Sequence, residues 1–269
     1  MDLHVLNSFL LEDIQNPSHP SEFSNYDEYG VLILRLPEQK ETIIKVESFA
    51  FIIDKEEVFI YNREKMDIEK LGKVDDLNSF LDLKIDHLIK LMQQFHYKID
   101  MLEESLYEEK LSDDFMQEWM YYKKNISLIH RVLFHSALAY EQFFSFIKKK
   151  DCFDLMAFDD LLEHMERVKN LAHSAIEKLD NLYDFYRAKV DEKMNKNIYY
   201  LTMISGVFLP LTLITGFFGM NTGGLPFIDD PNGTLKAISI ALVSEVFLII
   251  PIVIMNNKKI KRFSLKKKS

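Results

Sequence analysis

The chain has 269 residues, a single cysteine and a formal net charge of −9, from 33 basic against 42 acidic side chains. That length allows one large or two modest soluble units plus a membrane segment. Cys152 alone excludes an internal disulfide framework or a cysteine-rich metal site. The acidic balance upstream of the C-terminal tail is unlike that of a nucleic-acid binder, so no nucleic-acid partner is expected.

Residues 1–75 are expected to form a small α/β unit. The N-terminus lacks a basic and an apolar region, so no signal peptide is expected. Leu10–Ile14 looks like a helical turn ending before Asn16-Pro17. Val31–Leu36, Lys45–Ile53 and Val58–Tyr61 are short, rich in β-branched and aromatic residues, and bounded by turn signals. Pro37 is expected to stop the first, and Asp54–Glu57 to turn between the other two.

Residues 76–196 are expected to form a helical unit with a long stalk. Leu77, Phe80, Leu81, Ile85, Leu88, Ile89 and Met92 share one helical face. The pattern breaks at Leu111–Asp114, and a second helix runs through Trp119, Ile126 and Leu133 to Phe146. After a break at Lys148–Asp154, one helix is predicted from Leu155 to Phe218. Leu161, Met165, Val168, Ala172, Ala175, Leu179, Leu182 and Tyr186 follow heptad spacing. Because the seam leads into an apolar run, it is expected to join copies of the chain; the alternative is packing within the monomer.

Residues 197–257 are expected to cross a membrane twice. Ile198–Phe218 contains no charged residue, and its helical rise of about 31 Å matches the hydrocarbon thickness. A second apolar run spans Leu235–Met255 and carries Glu245 mid-span. An ionised carboxylate there costs a few kcal/mol unless paired. Ser205, Thr212 or Thr215 on the first span could bond it, either functionally or as a neutral interhelical contact. The 258–269 tail carries Lys258, Lys259, Lys261, Arg262 and Lys266–Lys268 without an acid, and is expected to touch anionic lipid. By the positive-inside rule both termini are cytoplasmic and the Asp229-Asp230 loop is outside.

A small or polar stripe runs the length of the first span: Asn195, Ile198, Thr202, Ser205, Leu209, Thr212, Gly216 and Gly219. In lipid such a face turns to protein or to water, so it marks either helix–helix packing or an aqueous path. The stripe has no carboxylate to strip Mg²⁺ of water, but hydroxyls, carbonyls and the Asn221 amide could hold a hydrated ion. Ile198 and Leu209 would form apolar rings able to gate by dewetting.

Phe208-Leu-Pro-Leu-Thr-Leu-Ile-Thr-Gly-Phe-Phe-Gly-Met-Asn221 resembles the first-span signature of the CorA family of divalent-cation channels. Leu11-Glu-Asp-Ile-Gln-Asn-Pro17 resembles the family's Glu-Asp segment. The resemblance implies an α+β membrane protein, mainly helical: an N-terminal cytoplasmic domain, a stalk continuing into the pore helix, and a peripheral second span. It implies a multi-pass homopentamer of the cell (inner) membrane that transports Mg²⁺, with Co²⁺ and Ni²⁺ as minor substrates; the sequence shows no Gly-rich phosphate loop, His-Glu-x-x-His or nucleophile elbow, so no enzyme is expected. Gly219, Met220 and Asn221 would form the selectivity filter. Asn195, Ile198, Leu201, Thr202, Leu209 and Thr212 would lie on the conduction path. Asp159 or Asp160 would sit near a regulatory Mg²⁺ position.

The chain departs from the family in lacking the strands that usually precede the Glu-Asp segment. Thr222-Gly-Gly-Leu-Pro226 resembles the zinc-transporting ZntB branch, so a Zn²⁺ transporter is one alternative. The eight histidines show no ligand spacing for a dedicated zinc site. The other alternative is a membrane-anchored coiled-coil scaffold that transports nothing.

Overall fold

A computed structural model describes residues 7–26, 29–41, 43–108, 114–149, 155–220, 223–227, 229–247 and 250. The chain divides into two compact units, Met1–Tyr186 and Arg187–Ser269.

The first unit is built on a five-stranded antiparallel meander in chain order: β1 (Glu22–Asn25), β2 (Gly30–Lys40), β3 (Ile43–Asp54), β4 (Glu57–Asn62) and β5 (Asp67–Lys73). Side chains alternate across it. Leu32, Leu34, Leu36, Phe51, Ile53 and Val58 belong to the main core with the long helices. Val31, Ile33, Ala50, Ile52, Phe59 and Tyr61 form a second core with Leu10 and Ile14 of α1 (Ser8–Gln15). Burial on both faces accounts for the unbroken apolar run Val31–Leu34. With every neighbouring pair antiparallel, the described residues of the N-terminal part contain no parallel crossover unit, which corrects the α/β expectation to a meander with helices stacked on it.

Two local features differ from the sequence expectations and one matches them. β1 and β5 are edge strands whose polar, charged residues carry little apolar alternation. Pro37 does not end β2, which runs on to Lys40 with Pro37 opposite Val46. β1 pairs with β2 only as far as Ile33, so at Pro37 one side of β2 is an open edge that needs no N–H donor. The Asp54–Glu57 turn forms as expected, with Lys55 at φ +55°.

Three long helices complete the layer: α2 (Val74–Tyr107), α3 (Phe115–Ile147) and α4 (Leu155–Phe218). The heptad seam lies inside the chain: Leu161, Met165, Val168, Ala172, Ala175, Leu179 and Leu182 are all buried in the main core. Trp119 Nε1 donates to the Leu179 carbonyl at 2.7 Å, and Lys178 reaches Asp100 at 2.6 Å. Phe115 stacks on Tyr186 with centroids 4.7 Å apart. This overturns the intermolecular reading: α2 and α3 supply the apolar partner.

The second unit contains the C-terminal part of α4 and a helix over residues 233–247, here α5. Among the described residues, α4 is the one helix long and apolar enough to cross a membrane, and none of its most apolar stretch is buried in the chain. The far end of the expected second span and the basic tail lie outside the described residues. Gly233 opens α5 where a Cβ would strike the Phe227 carbonyl.

Candidate ion-conduction site

Along the C-terminal part of α4 one strip is partly shielded and the rest is exposed. Met203, Val207, Pro210, Leu211, Ile214 and Phe218 are partly shielded, at helical spacing. The predicted stripe residues Asn195, Ile198, Thr202, Ser205, Leu209, Thr212 and Gly216 are all exposed within the chain, as are Leu201 and the apolar Ile204, Phe208, Leu213 and Phe217. Leu209 is 69% exposed. Exposure is thus shared with apolar neighbours, and it is the small and polar side chains that set the stripe apart. α5 also has a shielded stripe, Gly233, Ala237, Ala241, Ser244 and Glu245.

The stripe's chemistry follows from helix geometry. Thr202 Oγ1 donates to the Ile198 carbonyl at 2.8 Å, and Thr212 Oγ1 to the Phe208 carbonyl at 2.7 Å. Each hydroxyl proton is thus committed to the helix, and the oxygen's remaining lone pairs face outward as acceptors. Pro210 lies inside α4 and has no N–H, so the Gly206 carbonyl loses its i+4 helical partner. Gly206 is exposed and a Cβ there would meet nothing within 4 Å. The sequence reading missed this backbone acceptor, although Pro210 inside a helical pattern is its signal.

At the end of α4 the Gly219 N–H reaches the Thr215 carbonyl at 2.9 Å, and Met220 is exposed. Gly219 and Met220 thus follow the stripe at the helix end; Asn221 lies outside the described residues. In the following loop Asp230 pairs with Lys236 and accepts from the Asn232 N–H at 2.9 Å. The Lys236 ammonium, then the backbone N–H, hold its carboxyl below the usual range.

Glu245 is 6% exposed, and neither carboxylate oxygen has a hydrogen-bond partner among the described residues. The expected bonds to Ser205, Thr212 and Thr215 are absent: Ser205 and Thr212 belong to the exposed side, and Thr215 Oγ1 bonds the Leu211 carbonyl at 2.9 Å. Asp159 and Asp160 are exposed on the first turns of α4, with Asp160 Oδ2 3.8 Å from His164 Nε2.

Folding also gathers ligand types that are scattered in sequence. His164 Nδ1 lies 3.3 Å from Asp82 Oδ1, and Asp86 joins this group. Asp13, His19 and Glu22 make a second group, with His19 Nε2 3.3 Å from Asp13 Oδ1.

Comparison with known proteins gives this geometry a context. The chain is 23% identical over 249 residues to the cobalt/magnesium transport protein CorA of Thermotoga maritima, covering 82% of this chain and 68% of that protein. It is 27% identical over 208 residues to the zinc transport protein ZntB of Pectobacterium atrosepticum, covering 68% of this chain but 59% of that relative. The solved CorA magnesium transporter of Methanocaldococcus jannaschii shares the fold with a TM-score of 0.72 at 16% identity, over 92% of this chain and 83% of that one. The full-length CmaX protein gives 0.70 at 18% identity, over 91% and 81%. The profile of the family described as CorA-like Mg²⁺ transporter protein matches residues 2–262. A match that spans nearly the whole chain, the exposed α4 stripe included, shows that this protein belongs to the CorA family of divalent-cation transporters.

Proposed function

We propose that five copies of this chain assemble in the cell (inner) membrane around the α4 stripe and conduct hydrated Mg²⁺, with both termini cytoplasmic. The observation carrying this reading is a stripe exposed in the chain whose hydroxyls present acceptors outward. Water around a cation turns its hydrogens outward, so an acceptor-lined path suits a hydrated cation, while an anion's water shell asks for donors. Dipolar oxygens attract the ion without stripping its shell, and so allow it to leave. The buried seam removes the main support for a coiled-coil scaffold. Asn221 supplies the oxygens at the mouth, with Gly219 and Met220, and Mg²⁺ near Asp159 and Asp160 is the regulatory ligand the resemblance implies.

Transport of Zn²⁺ is the second reading, favoured by the Thr222–Pro226 loop and the similarity to ZntB. Uptake into proteoliposomes, with Mg²⁺ against Zn²⁺ and with and without a pH gradient, decides between them. Mg²⁺ uptake independent of the pH gradient is expected, and selective uptake is expected to vanish in an assembled Asn221→Ala protein. Zn²⁺ uptake without Mg²⁺ uptake would overturn the ion assignment. No uptake of either would overturn transport.

A further inference from the structure

We propose a metal site outside the ion path, where Asp13, His19 and Glu22 hold a transition-metal ion of the Zn²⁺ or Co²⁺ type at the junction of α1 and β1. Each residue offers one ligand atom, all three atoms lie within 4.8 Å of one another, and the residues are half-buried. The orientation of His19 is the telling feature. Its Nδ1 sits 3.0 Å from the Pro20 carbonyl oxygen. In the neutral ring Nδ1–H donates there, which leaves the lone pair on Nε2. A backbone carbonyl fixing one ring nitrogen while the other binds metal is the usual outer-shell arrangement of a ligating histidine.

Nε2 faces Asp13 Oδ1 at 3.3 Å. Two ligands at about 2.0–2.2 Å from a tetrahedral zinc ion stand roughly 3.4 Å apart, so little movement is needed to admit the ion. Without a cation or a ring proton, that approach sets a lone pair against a carboxylate. Among the described residues no Lys or Arg pairs with Asp13 or Glu22, so the two carboxylates have no fixed cation to neutralise them.

The ligands stand on ordered elements. Leu10 and Ile14 bury the α1 face next to Asp13, and Arg63 holds the Ile14 carbonyl at 3.1 Å. The His19 N–H bonds the Asn16 carbonyl at 3.2 Å. Glu22 is fixed by its β1 pairing opposite Ile33. One imidazole with two carboxylates selects borderline ions over Mg²⁺, which prefers an all-oxygen octahedron. An ion here would staple α1 to the sheet. All ligands come from one chain, so the site is independent of the transport reading.

The test uses the metal-stripped full-length protein in detergent, dialysed against Zn²⁺ and counted for bound metal, with Co²⁺ as an optical probe. His19→Gln and Glu22→Gln are each expected to bind one zinc ion per chain fewer than wild type. Each should keep the wild-type circular dichroism and lose part of the visible Co²⁺ absorption. Millimolar Mg²⁺ should not displace the zinc. A wild-type zinc count in either folded variant overturns the site, and so does displacement by Mg²⁺. If His19→Gln fails to fold, Glu22→Gln decides, since its side chain lies at a strand edge.

Discussion

Replacing Leu209 with asparagine separates a water-lined stripe from a lipid-facing one. Leu209 is 69% exposed within the chain, so the substitution removes little packing that the chain itself provides. On an aqueous path the new amide is hydrated, and stability should stay within about 0.5 kcal/mol of wild type. Facing hydrocarbon, the amide costs roughly 2–4 kcal/mol, and about 0.5 kcal/mol of favourable leucine insertion is lost. For a protein of this size that lowers the midpoint of thermal unfolding by on the order of 10 °C. The account predicts the small change together with a functional gain, because an apolar ring that blocks by excluding water is turned into one that wets. Single-channel recording should show a raised basal open probability and weaker closure by Mg²⁺ on the cytoplasmic side, while a thermal assay shows a near-wild-type midpoint. A midpoint lowered by about 10 °C with no rise in open probability would refute the assignment of Leu209 to the path.

Three further outcomes are expected. Leu179 is fully buried between helices of one chain, so Leu179→Ala should cost about 2–5 kcal/mol of chain stability, read by thermal unfolding, without altering the oligomer's mass. Dissociation of a fully stable chain would restore the intermolecular seam. Tyr140 is wholly buried and donates to Asn78 Oδ1 at 2.7 Å, while Asn78 Nδ2 donates to the Ala157 carbonyl at 3.0 Å. Burial pushes its pKa up, so the hydroxyl stays protonated, and Tyr140→Phe should cost about 1–2 kcal/mol by leaving Oδ1 unsatisfied. An unchanged midpoint would mean water replaces the bond. Glu245→Leu removes two buried oxygens without partners among the described residues and should raise the unfolding midpoint by an amount equivalent to about 1–3 kcal/mol. A fall would show that another subunit supplies a partner for Glu245.

The sequence displayed the long helices because their apolar period is strong, and it displayed α4 in particular because no Gly or Pro interrupts it before Gly206. The central strands were legible for the same reason, whereas β1 and β5 carry polar residues that mark a turn as readily as an edge. Pro37 misled because its effect depends on whether the neighbouring strand reaches that far, a fact of pairing rather than of composition. The seam was visible as spacing, but spacing cannot say whether α2 and α3 or a second copy covers it. In the site, the exposed stripe of α4 was readable from its 3-4 period. The groupings around His19 and His164 were not, since residues as far apart as Asp82 and His164 meet only through the packing of α2 on α4.

The central claim is that one face of α4 is wet and the other is not. Single cysteines introduced into a Cys152→Ser background at Thr202, Ser205 and Thr212, and separately at Met203, Val207 and Ile214, test it directly. A membrane-impermeant, water-soluble thiol reagent is added during divalent-cation uptake into proteoliposomes. The account predicts that the reagent labels and blocks the first three variants and leaves the second three unmodified and active. Equal labelling of both sets, or block confined to the Met203, Val207 and Ile214 positions, would contradict it.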